Sequence, residues 1–426
     1  MDLINRSILP LMIPRMRQDR ILAVTGARQT GKTTLCERQL PENMQQAHAY
    51  ITFDDPEERL RFQRSPLAVL ESLDAPLVIL DEVQKIPSLF DPLKVVADNN
   101  ARKERMQTFI LTGSSQLLLV KSIRETLAGR TALFNLHPFS LPELLGGDKA
   151  PLLDRLWAGN VSLPDEAKRL LTLSPQETRR MRTIRDLHRK WGGFPPVWQR
   201  EDETDKINWL KDYRKTYLER DLTDAGQVAD LDAFALTQKL LCARTASLLS
   251  VSEVARDAGL AVNTVKRYIH LLSMTFQCVL LAPYYENVGK RLIKSPKIYF
   301  TDPGVIRVIL GERSVNEGAW YESWVFSELL KWRQRQPVEP ELFFYRTSGG
   351  LEVDFLIAAP DRLLPVEVKS HDRATFADGR SVETFLKSRG DGSGIGLVIY
   401  PGNDIEEIRR NVWAVPDWYL FPFLKS

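Results

Sequence analysis

Residues 26–34 combine glycine, lysine and threonine at a spacing that suits binding of a nucleoside triphosphate. In order, the residues are Gly26, Ala27, Arg28, Gln29, Thr30, Gly31, Lys32, Thr33 and Thr34, which fit G-x-x-x-x-G-K-[ST]. The glycines allow successive backbone N–H groups to turn toward one anion, and the start of a helix adds a partial positive charge. Lys32 can then reach the β- and γ-phosphates, while the Thr33 hydroxyl can bind Mg²⁺. This segment is therefore predicted to bind ATP together with Mg²⁺.

An acidic pair follows a second apolar run. Residues 77–80 are Leu-Val-Ile-Leu, and Asp81 and Glu82 come directly after them. Four apolar residues suit a strand that is buried on both faces of a parallel sheet, and ligands bind at the carboxyl ends of such strands. Asp81 would hold the Mg²⁺ shell, and Glu82 would orient or deprotonate the attacking water. The alternative is a solvated acidic strand end without a catalytic role.

Two further polar positions are candidates for sensing nucleotide. A third strand is predicted from Thr108, and it ends near Ser114, whose hydroxyl would sense the γ-phosphate or the attacking water; Thr112 is the second choice. Ser114 could equally cap a helix. Arg130 could reach the nucleotide of a neighbouring subunit as an arginine finger. An ordinary surface ion pair is an equally good interpretation of Arg130.

A second set of ionisable residues lies near the C-terminus. Glu367 and Lys369 are two positions apart on a predicted strand and therefore share one face, and Asp354 on the neighbouring strand can join them. Two carboxylates, Asp354 and Glu367, can bind Mg²⁺, while Lys369 steadies the attacking water or the phosphate. Glu322, on a predicted helix, would supply an additional acid. The spacing resembles that of the PD-(D/E)xK restriction-endonuclease-like fold, with Val353 at the position of the proline. An active nuclease and a fold that only holds DNA both remain open.

Residues 236–312 are predicted to form a winged helix. A short helix closed by Gly259 is followed by a second helix from Asn263, which is the helix-turn-helix pattern, and two strands then flank a basic loop. From 261 to 300 there are six Lys or Arg residues and one Glu, a net of +5 in a chain whose total is only +3. A local basic patch favours DNA or RNA binding, although a winged helix that contacts protein remains the alternative. The predicted DNA-binding residues are Asn263, Thr264, Lys266, Arg267, Lys290, Arg291 and Lys294.

The composition limits the setting in which these groups can act. A chain of 426 residues is too long for one ordinary core, and 43% hydrophobic with 27% charged residues is typical of a soluble protein. Three distant cysteines make neither a disulfide framework nor a zinc site. No apolar run approaches the length of a membrane span. These features predict a cytoplasmic protein that does not act in a membrane.

Several segments together resemble a family of prokaryotic AAA+-type ATPases. They are the phosphate loop, residues 80–85 (Leu-Asp-Glu-Val-Gln-Lys), residues 111–115 (Leu-Thr-Gly-Ser-Ser), residues 127–130 (Leu-Ala-Gly-Arg) and residues 136–140 (Leu-His-Pro-Phe-Ser). The resemblance extends through residues 191–196, 217–221 and 297–304 and covers the chain from about residue 3 to about residue 420. It implies an ATP-binding α/β domain, a helical lid and a C-terminal domain of long-unassigned function. The resemblance also implies a homo-oligomer, and a hexamer is the expected form. Arg220 is a second candidate, after Arg130, for contacting nucleotide across the interface between subunits.

The expected fold class is α/β: a P-loop parallel sheet with a helical lid, then a winged helix and an α/β restriction-endonuclease-like domain. The expected domains are 1–145 (ATPase), 146–235 (lid and connector), 236–312 (winged helix) and 313–426 (nuclease-like). The favoured function is an Mg-ATP-hydrolysing motor or remodeller on branched or duplex DNA. A nucleotide-gated switch in defence or regulation that binds a protein partner is one alternative. An ATP-licensed, Mg²⁺-dependent DNA nuclease is the other.

Overall fold

The chain groups into two units. A computed structural model describes residues 3–113, 123, 125–127, 129–216, 228, 230–285, 294–311, 316–389 and 394–423. The first unit contains Met1–Pro138, Phe194–Pro196 and Met274–Phe276, and the second contains Phe139–Gly193, Val197–Ser273 and Gln277–Ser426. The second unit therefore holds the helices expected to form a lid as well as the two predicted C-terminal domains.

A five-stranded parallel sheet organises the first unit. Its strands are β1 (Ile21–Thr25), β2 (His48–Thr52), β3 (Leu77–Asp81), β4 (Thr108–Thr112) and β5 (Thr131–Asn135). The spatial order is β2-β3-β4-β1-β5, so β3 lies between β2 and β4 and every residue of β3 is buried. The predicted strands and their parallel arrangement are thereby confirmed. Successive side chains of a strand point to opposite faces of the sheet, and both faces of β1 are covered by apolar residues.

The helices of the first unit cover this sheet. The α-helices are Leu9–Gln18, Pro56–Arg64, Pro66–Ser72 and Phe90–Arg102. A continuous helical stretch after the phosphate loop consists of Lys32–Thr34, the π-helix Leu35–Gln39 and Leu40–Met44. Two short 3₁₀ helices are Val83–Lys85 and Pro87–Leu89. In Phe90–Arg102 the buried Phe90, Leu93 and Ala97 recur at helical spacing and pack on the same cluster as the strand residue Leu80.

The second unit contains two β-sheets and most of the helices. The helices before its first strand are Leu141–Leu145, Leu152–Trp157, Leu163–Leu170, Pro175–Trp191, Glu203–Thr216 and Leu231–Cys242, with the short helix Pro195–Trp198 at the boundary of the units. The later helices are Val251–Ala258, Val262–Met274, Pro303–Leu310, Glu317–Arg333, Arg380–Ser388 and Asp417–Leu420. No helix among the described residues is long and apolar enough to cross a membrane.

A small antiparallel sheet accompanies three of these helices. Strands β6 (Ser247–Leu248), β7 (Cys278–Leu281) and β8 (Lys297–Phe300) are ordered β6-β8-β7. Gly259 ends the helix Val251–Ala258 in the left-handed conformation with a φ of 67°, which lets the chain turn into the next helix within a few residues. The cap at the start of Val251–Ala258 is Ser250, whose side chain accepts a hydrogen bond from the Glu253 amide. The helix and the paired strands predicted for this segment are confirmed.

A mixed six-stranded sheet forms the rest of the second unit. Its strands are β9 (Glu341–Arg346), β10 (Glu352–Ala359), β11 (Arg362–Val368), β12 (Gly396–Tyr400), β13 (Glu406–Arg409) and β14 (Val412–Pro416). They are ordered β13-β14-β12-β11-β10-β9, with β10 antiparallel to β9 and β11, and β11 parallel to β12. The helix Glu317–Arg333 packs into the same apolar core as residues of β9, β10 and β11. The strands predicted to carry Asp354 and Glu367 are confirmed, whereas Lys369, predicted on the same strand as Glu367, lies one position after the end of β11.

The basic helix Pro175–Trp191 directs most of its cationic side chains to partners within the second unit. Arg185 is 5% exposed and forms an ion pair with the fully buried Asp417. Arg182 lies over the ring of Trp418, and Lys190 pairs with Glu203 at 2.6 Å. The cluster of positive charge in this segment is therefore used for packing within the unit.

Candidate functional site

The phosphate loop begins directly after β1, and its backbone requires glycine at its first position. A Cβ on Gly26 would lie 2.2 Å from the carbonyl oxygen of Leu136, and the φ of Gly26 is +149°. Gly31 also has a positive φ, +93°, just before the helical stretch that opens at Lys32. The loop therefore turns back on itself and leads into a helix N-terminus, as the anion-binding prediction requires.

Lys32 is held inside the loop. The side chain is buried, and its ammonium donates hydrogen bonds to the carbonyl oxygens of Gly26 at 3.0 Å and Ala27 at 2.9 Å. Thr30 also bonds to Ala27 from inside the loop, through its hydroxyl at 2.9 Å. Carbonyl oxygens are weaker partners for an ammonium than phosphate oxygens are. Lys32 is therefore placed to exchange these bonds for bonds to a triphosphate.

Arg6 braces the loop from outside the predicted motif. Its guanidinium, which is 5% exposed, donates to the carbonyl oxygen of Thr30 at 2.7 Å and to that of His137 at 2.5 Å. Its backbone amide donates to Gln39 at 3.1 Å. The spacing of residues 3–19 indicates only a packed helix, so the sequence does not reveal this role of Arg6.

Asp81 is buried at the carboxyl end of β3, where three hydroxyl groups meet it. The Tyr50 hydroxyl donates to its Oδ2 at 2.8 Å, Thr33 Oγ1 lies 3.4 Å from the same atom, and the Thr112 hydroxyl donates to Oδ1. Burial, together with the bond to Asp81, raises the pKa of Tyr50 above its ordinary value. Tyr50 therefore remains a protonated donor that orients the carboxylate. Neither Tyr50 nor this use of Thr112 follows from the motif.

Glu82 adopts a conformation that is uncommon for glutamate. Its φ of +56° places it in the left-handed region, just before the turn Val83–Lys85, and the Gln84 side chain donates to its carboxylate. Strained backbone of this kind costs about 1–3 kcal/mol and clusters at functional positions. Glu82 is half-buried, whereas Asp81 directly before it is buried.

The remaining candidates of the first unit differ in what the structure describes. Arg130 forms a partly exposed ion pair with Asp98 at 2.9 Å, which is the surface pairing named above as its alternative. A contact between Arg130 and a neighbouring subunit's nucleotide stays a prediction. Ser114 and Arg220 lie outside the described residues.

The donors around Asp81 fit a magnesium ion that arrives with a triphosphate. Thr33 supplies an exposed hydroxyl and Asp81 a carboxylate, with 3.4 Å between the two oxygens. Mg²⁺ prefers oxygen ligands and usually keeps several waters while it is held by one or two protein groups and by phosphates. Such an ion would neutralise charge on the β- and γ-phosphates when bound.

The start of helix Val262–Met274 presents polar groups to solvent. Asn263, Lys266 and Arg267 are exposed and Thr264 is half-buried, whereas Val265 is buried on the opposite side. The exposed Lys294 precedes β8, while Lys290 and Arg291 lie outside the described residues. Four of the seven predicted DNA-binding residues thus lie on one short helical stretch.

The predicted nuclease-like residues come together at β10, β11 and the helix Glu317–Arg333. Asp354 Oδ2 accepts a hydrogen bond from the Val368 amide at 2.9 Å, and Lys369 Nζ donates to Glu367 Oε1 at 2.7 Å. Glu322 Oε1 accepts from the Tyr299 hydroxyl at 2.5 Å. Burial and the nearby Asp354 raise the pKa of Glu322 to about 7 and that of Glu367 to about 8.

Two residues that the sequence analysis does not single out complete this acidic cluster. Lys297 on β8 is 3% exposed, and its ammonium lies 2.6 Å from Glu352, 3.3 Å from Glu322 and 3.8 Å from Asp354. Within the described part of the chain, no group of three or more His, Cys, Asp or Glu side chains is placed to hold a metal ion. The ammonium of Lys297 lies beside Glu322 and Asp354, and binding of Mg²⁺ by Asp354 and Glu367 stays a prediction.

Three family models match successive parts of the chain. Residues 18–145 match one described as an AAA domain, which contains the loop, Asp81 and Glu82. Residues 183–316 and 317–420 match two different domains of unknown function. The described first unit has the parallel sheet and phosphate loop of a P-loop ATPase, in agreement with the AAA match.

Curated relatives cover nearly the whole chain. An uncharacterized protein of Mycobacterium tuberculosis is 28% identical over 412 residues, 93% of this chain and 80% of the relative. An uncharacterized protein of Methanocaldococcus jannaschii is 24% identical over 432 residues, 97% of this chain and 90% of the relative.

Solved structures that match part of the chain include replication initiator DnaA bound to AMPPCP and single-stranded DNA. That match has 15% identity and a TM-score of 0.26, and covers 64% of this chain and 89% of DnaA. A mutant RuvB of Thermotoga maritima matches with 16% identity and a TM-score of 0.28, over 68% of this chain and 94% of RuvB.

Proposed function

We propose that the protein hydrolyses Mg-ATP and couples this reaction to work on duplex or branched DNA. The observation that carries the ATPase assignment is the cluster at the ends of β1 and β3, where the Lys32 loop faces the buried carboxylate of Asp81. This proposal makes Lys32 and the loop amides the phosphate ligands. Bound Mg²⁺ would be held by Thr33 and Asp81 and would supply charge neutralisation.

Glu82 is the proposed group that handles the attacking water. A general base must lie within hydrogen-bond reach of the water whose proton it takes. Glu82 has a left-handed backbone directly after Asp81, and the carboxylate of Asp81 already contacts three hydroxyl groups. Asp81 is therefore proposed to bind the metal and Glu82 to accept the proton.

The DNA half of the proposal is supported by element order. Helix Leu231–Cys242, β6, helices Val251–Ala258 and Val262–Met274, β7 and β8 follow one another in the order of a winged helix. The second helix after the Gly259 turn is the recognition helix in a helix-turn-helix, and its first residues meet base edges and phosphates. Exposed Asn263, Lys266 and Arg267 occupy these positions here.

The test measures DNA binding and ATP turnover on the same preparation. Fluorescence anisotropy with a labelled 30-base-pair duplex at low salt should show binding that weakens as salt rises, because released counterions supply much of the affinity. Steady-state ATP hydrolysis should rise when the duplex or a four-way junction is added. Lys266→Ala/Arg267→Ala should weaken binding about tenfold or more and reduce the stimulation.

A matched control variant distinguishes the loss of charge from helix Val262–Met274 from the loss of two positive charges elsewhere on the chain. Lys168→Ala/Arg169→Ala removes two positive charges from helix Leu163–Leu170, which lies outside the winged-helix segment, and should leave DNA binding unchanged. DNA binding that is absent at low salt, or equal loss in both double variants, would refute the DNA assignment while leaving the ATPase assignment intact. Stimulation of hydrolysis only by a protein partner would instead favour the nucleotide-gated switch.

A further inference from the structure

A buried lysine lies among the carboxylates of the nuclease-like region. Lys297 Nζ is 2.6 Å from Glu352 Oε1, 3.3 Å from Glu322 Oε1 and 3.8 Å from Asp354 Oδ1. The three acids come from two elements, the helix Glu317–Arg333 and β10, while the lysine comes from β8. The ammonium of Lys297, surrounded by carboxylates from these two elements, takes the place that a metal cation would otherwise fill.

The surroundings explain why Lys297 can be buried. Its side chain is 4% exposed, and an ammonium out of water is costly unless opposite charges compensate for the lost hydration. Glu322, Glu352 and Asp354 provide that compensation. Each is also held by a second partner: Tyr299 on Glu322, the Val368 amide on Asp354, and Arg346 at 3.5 Å from Glu352. The arrangement is a built charge cluster because every member is fixed from two sides.

Glu367 points to a further ligand position in the same region. Its Oε1 accepts from Lys369 at 2.7 Å, whereas its buried Oε2 has no hydrogen-bond partner among the residues that the structure describes. The Glu367 side chain is only 9% exposed. A buried carboxylate oxygen without a donor is costly, and this oxygen would be available to a cation once the ammonium of Lys297 is removed.

We propose that Lys297 is the permanent counter-cation of this cluster, so that the protein carries a nuclease-like acidic site closed to divalent metal ions. Removal of the lysine ammonium would leave the carboxylates of Glu322 and Asp354 without their shared counter-cation, and a divalent cation held by these two groups and by waters would replace it. The set would then offer carboxylate oxygens, which are the ligands that Mg²⁺ and Mn²⁺ prefer. This proposal excludes metal-dependent DNA cleavage at this site in the natural sequence and does not depend on the proposed ATPase activity.

The test counts bound Mn²⁺ by electron paramagnetic resonance on the full-length, nucleotide-free protein. Asp354→Asn serves as the site-specific reference, because it leaves the phosphate loop untouched. The natural protein and its Asp354→Asn variant should bind the same amount of Mn²⁺. Lys297→Met, which keeps the length of the side chain and removes its charge, should gain about one Mn²⁺ per chain. The double variant Lys297→Met/Asp354→Asn should lose that gain.

A second variant covers the case in which Lys297→Met does not fold. Lys297→Met/Glu352→Gln removes one negative charge together with the positive one and retains Glu322, Asp354 and Glu367. If the natural protein bound Mn²⁺ and Asp354→Asn abolished this binding, the proposal would be overturned. This comparison needs no Lys297 variant. Folded Lys297 variants that gain no Mn²⁺ would overturn it as well. Neither result bears on the proposed ATPase activity.

Discussion

Acid should destabilise the second unit through one buried histidine. His188 on helix Pro175–Trp191 is 0% exposed, its Nε2 lies 2.9 Å from the Phe139 carbonyl oxygen, and the Trp324 indole donates to its Nδ1 at 3.0 Å. Nδ1 accepts a bond, so the ring is neutral and carries its proton on Nε2. Protonation of Nδ1 would place a donor against the Trp324 donor in a buried site.

The size of this loss of stability follows from the protonation of His188 in the folded state and in the unfolded state. Burial, the largest cause, and the nearby Lys331 lower the pKa of His188 from 6.5 to about 4, although Glu328 and Glu143 oppose the shift. The folded state therefore binds fewer protons than the unfolded state between pH 6.5 and 4. Stability is complete above about pH 6.5 and falls as the pH drops, by about 2 kcal/mol between pH 7 and pH 4.5 for this group.

Tryptophan fluorescence during urea unfolding provides a selective assay. All nine tryptophans of the chain lie in segments of the second unit, so the signal reports that unit alone. Unfolding is measured at pH 7 and pH 4.5 for the natural protein and for His188→Gln, whose amide stays neutral and can still donate to the Phe139 carbonyl. The natural protein should lose about 2 kcal/mol more than the variant between the two pH values.

The comparison with the variant is necessary because other buried groups titrate in the opposite sense. Burial raises the pKa of Asp302 and Asp417, so their protonation favours the folded state as the pH falls. Both carboxyls are present in the natural protein and in His188→Gln, and their effect cancels in the difference. Equal losses in the two proteins would refute the assignment of a neutral, proton-excluding His188.

Two further predictions concern the phosphate loop and the catalytic acid. Arg6→Ala removes the charged group that donates hydrogen bonds to the carbonyl oxygens of Thr30 and His137. Calorimetric titration should show that its affinity for ATP is weakened about tenfold or more. The control variant Arg15→Ala loses a surface ion pair with Asp19 and should bind ATP as the natural protein does. Unchanged affinity in Arg6→Ala would mean that the loop is rigid without its brace. Glu82→Gln should bind ATP normally but hydrolyse it about 100-fold more slowly in a phosphate-release assay, and normal turnover would contradict its role as the base.

Much of the nucleotide site is visible in the sequence because its parts are local. The loop residues are consecutive, the strand before them is a short apolar run, and Asp81 and Glu82 follow a run buried on both faces. Parallel strands bring their carboxyl ends to one edge of a sheet, so the loop and the acidic pair are expected to meet. The 2.0-residue period of a strand likewise places Glu367 and Lys369 on one face without further information.

Partners from distant segments were decided only by the tertiary structure. Tyr50 and Thr112 reach Asp81 from neighbouring strands, and Arg6 reaches the loop from the N-terminal segment. Neither Tyr50 nor Arg6 belongs to a motif, and Thr112 is predicted from the sequence only as a second-choice sensor of nucleotide. Lys297 shows the difference most clearly. In sequence it is one basic residue in a region predicted to bind DNA, but β8 buries its ammonium among acids that are 25 to 57 positions away. Sequence spacing specifies the chemistry of neighbours along one element, whereas the packing of separate elements determines which charges must neutralise one another.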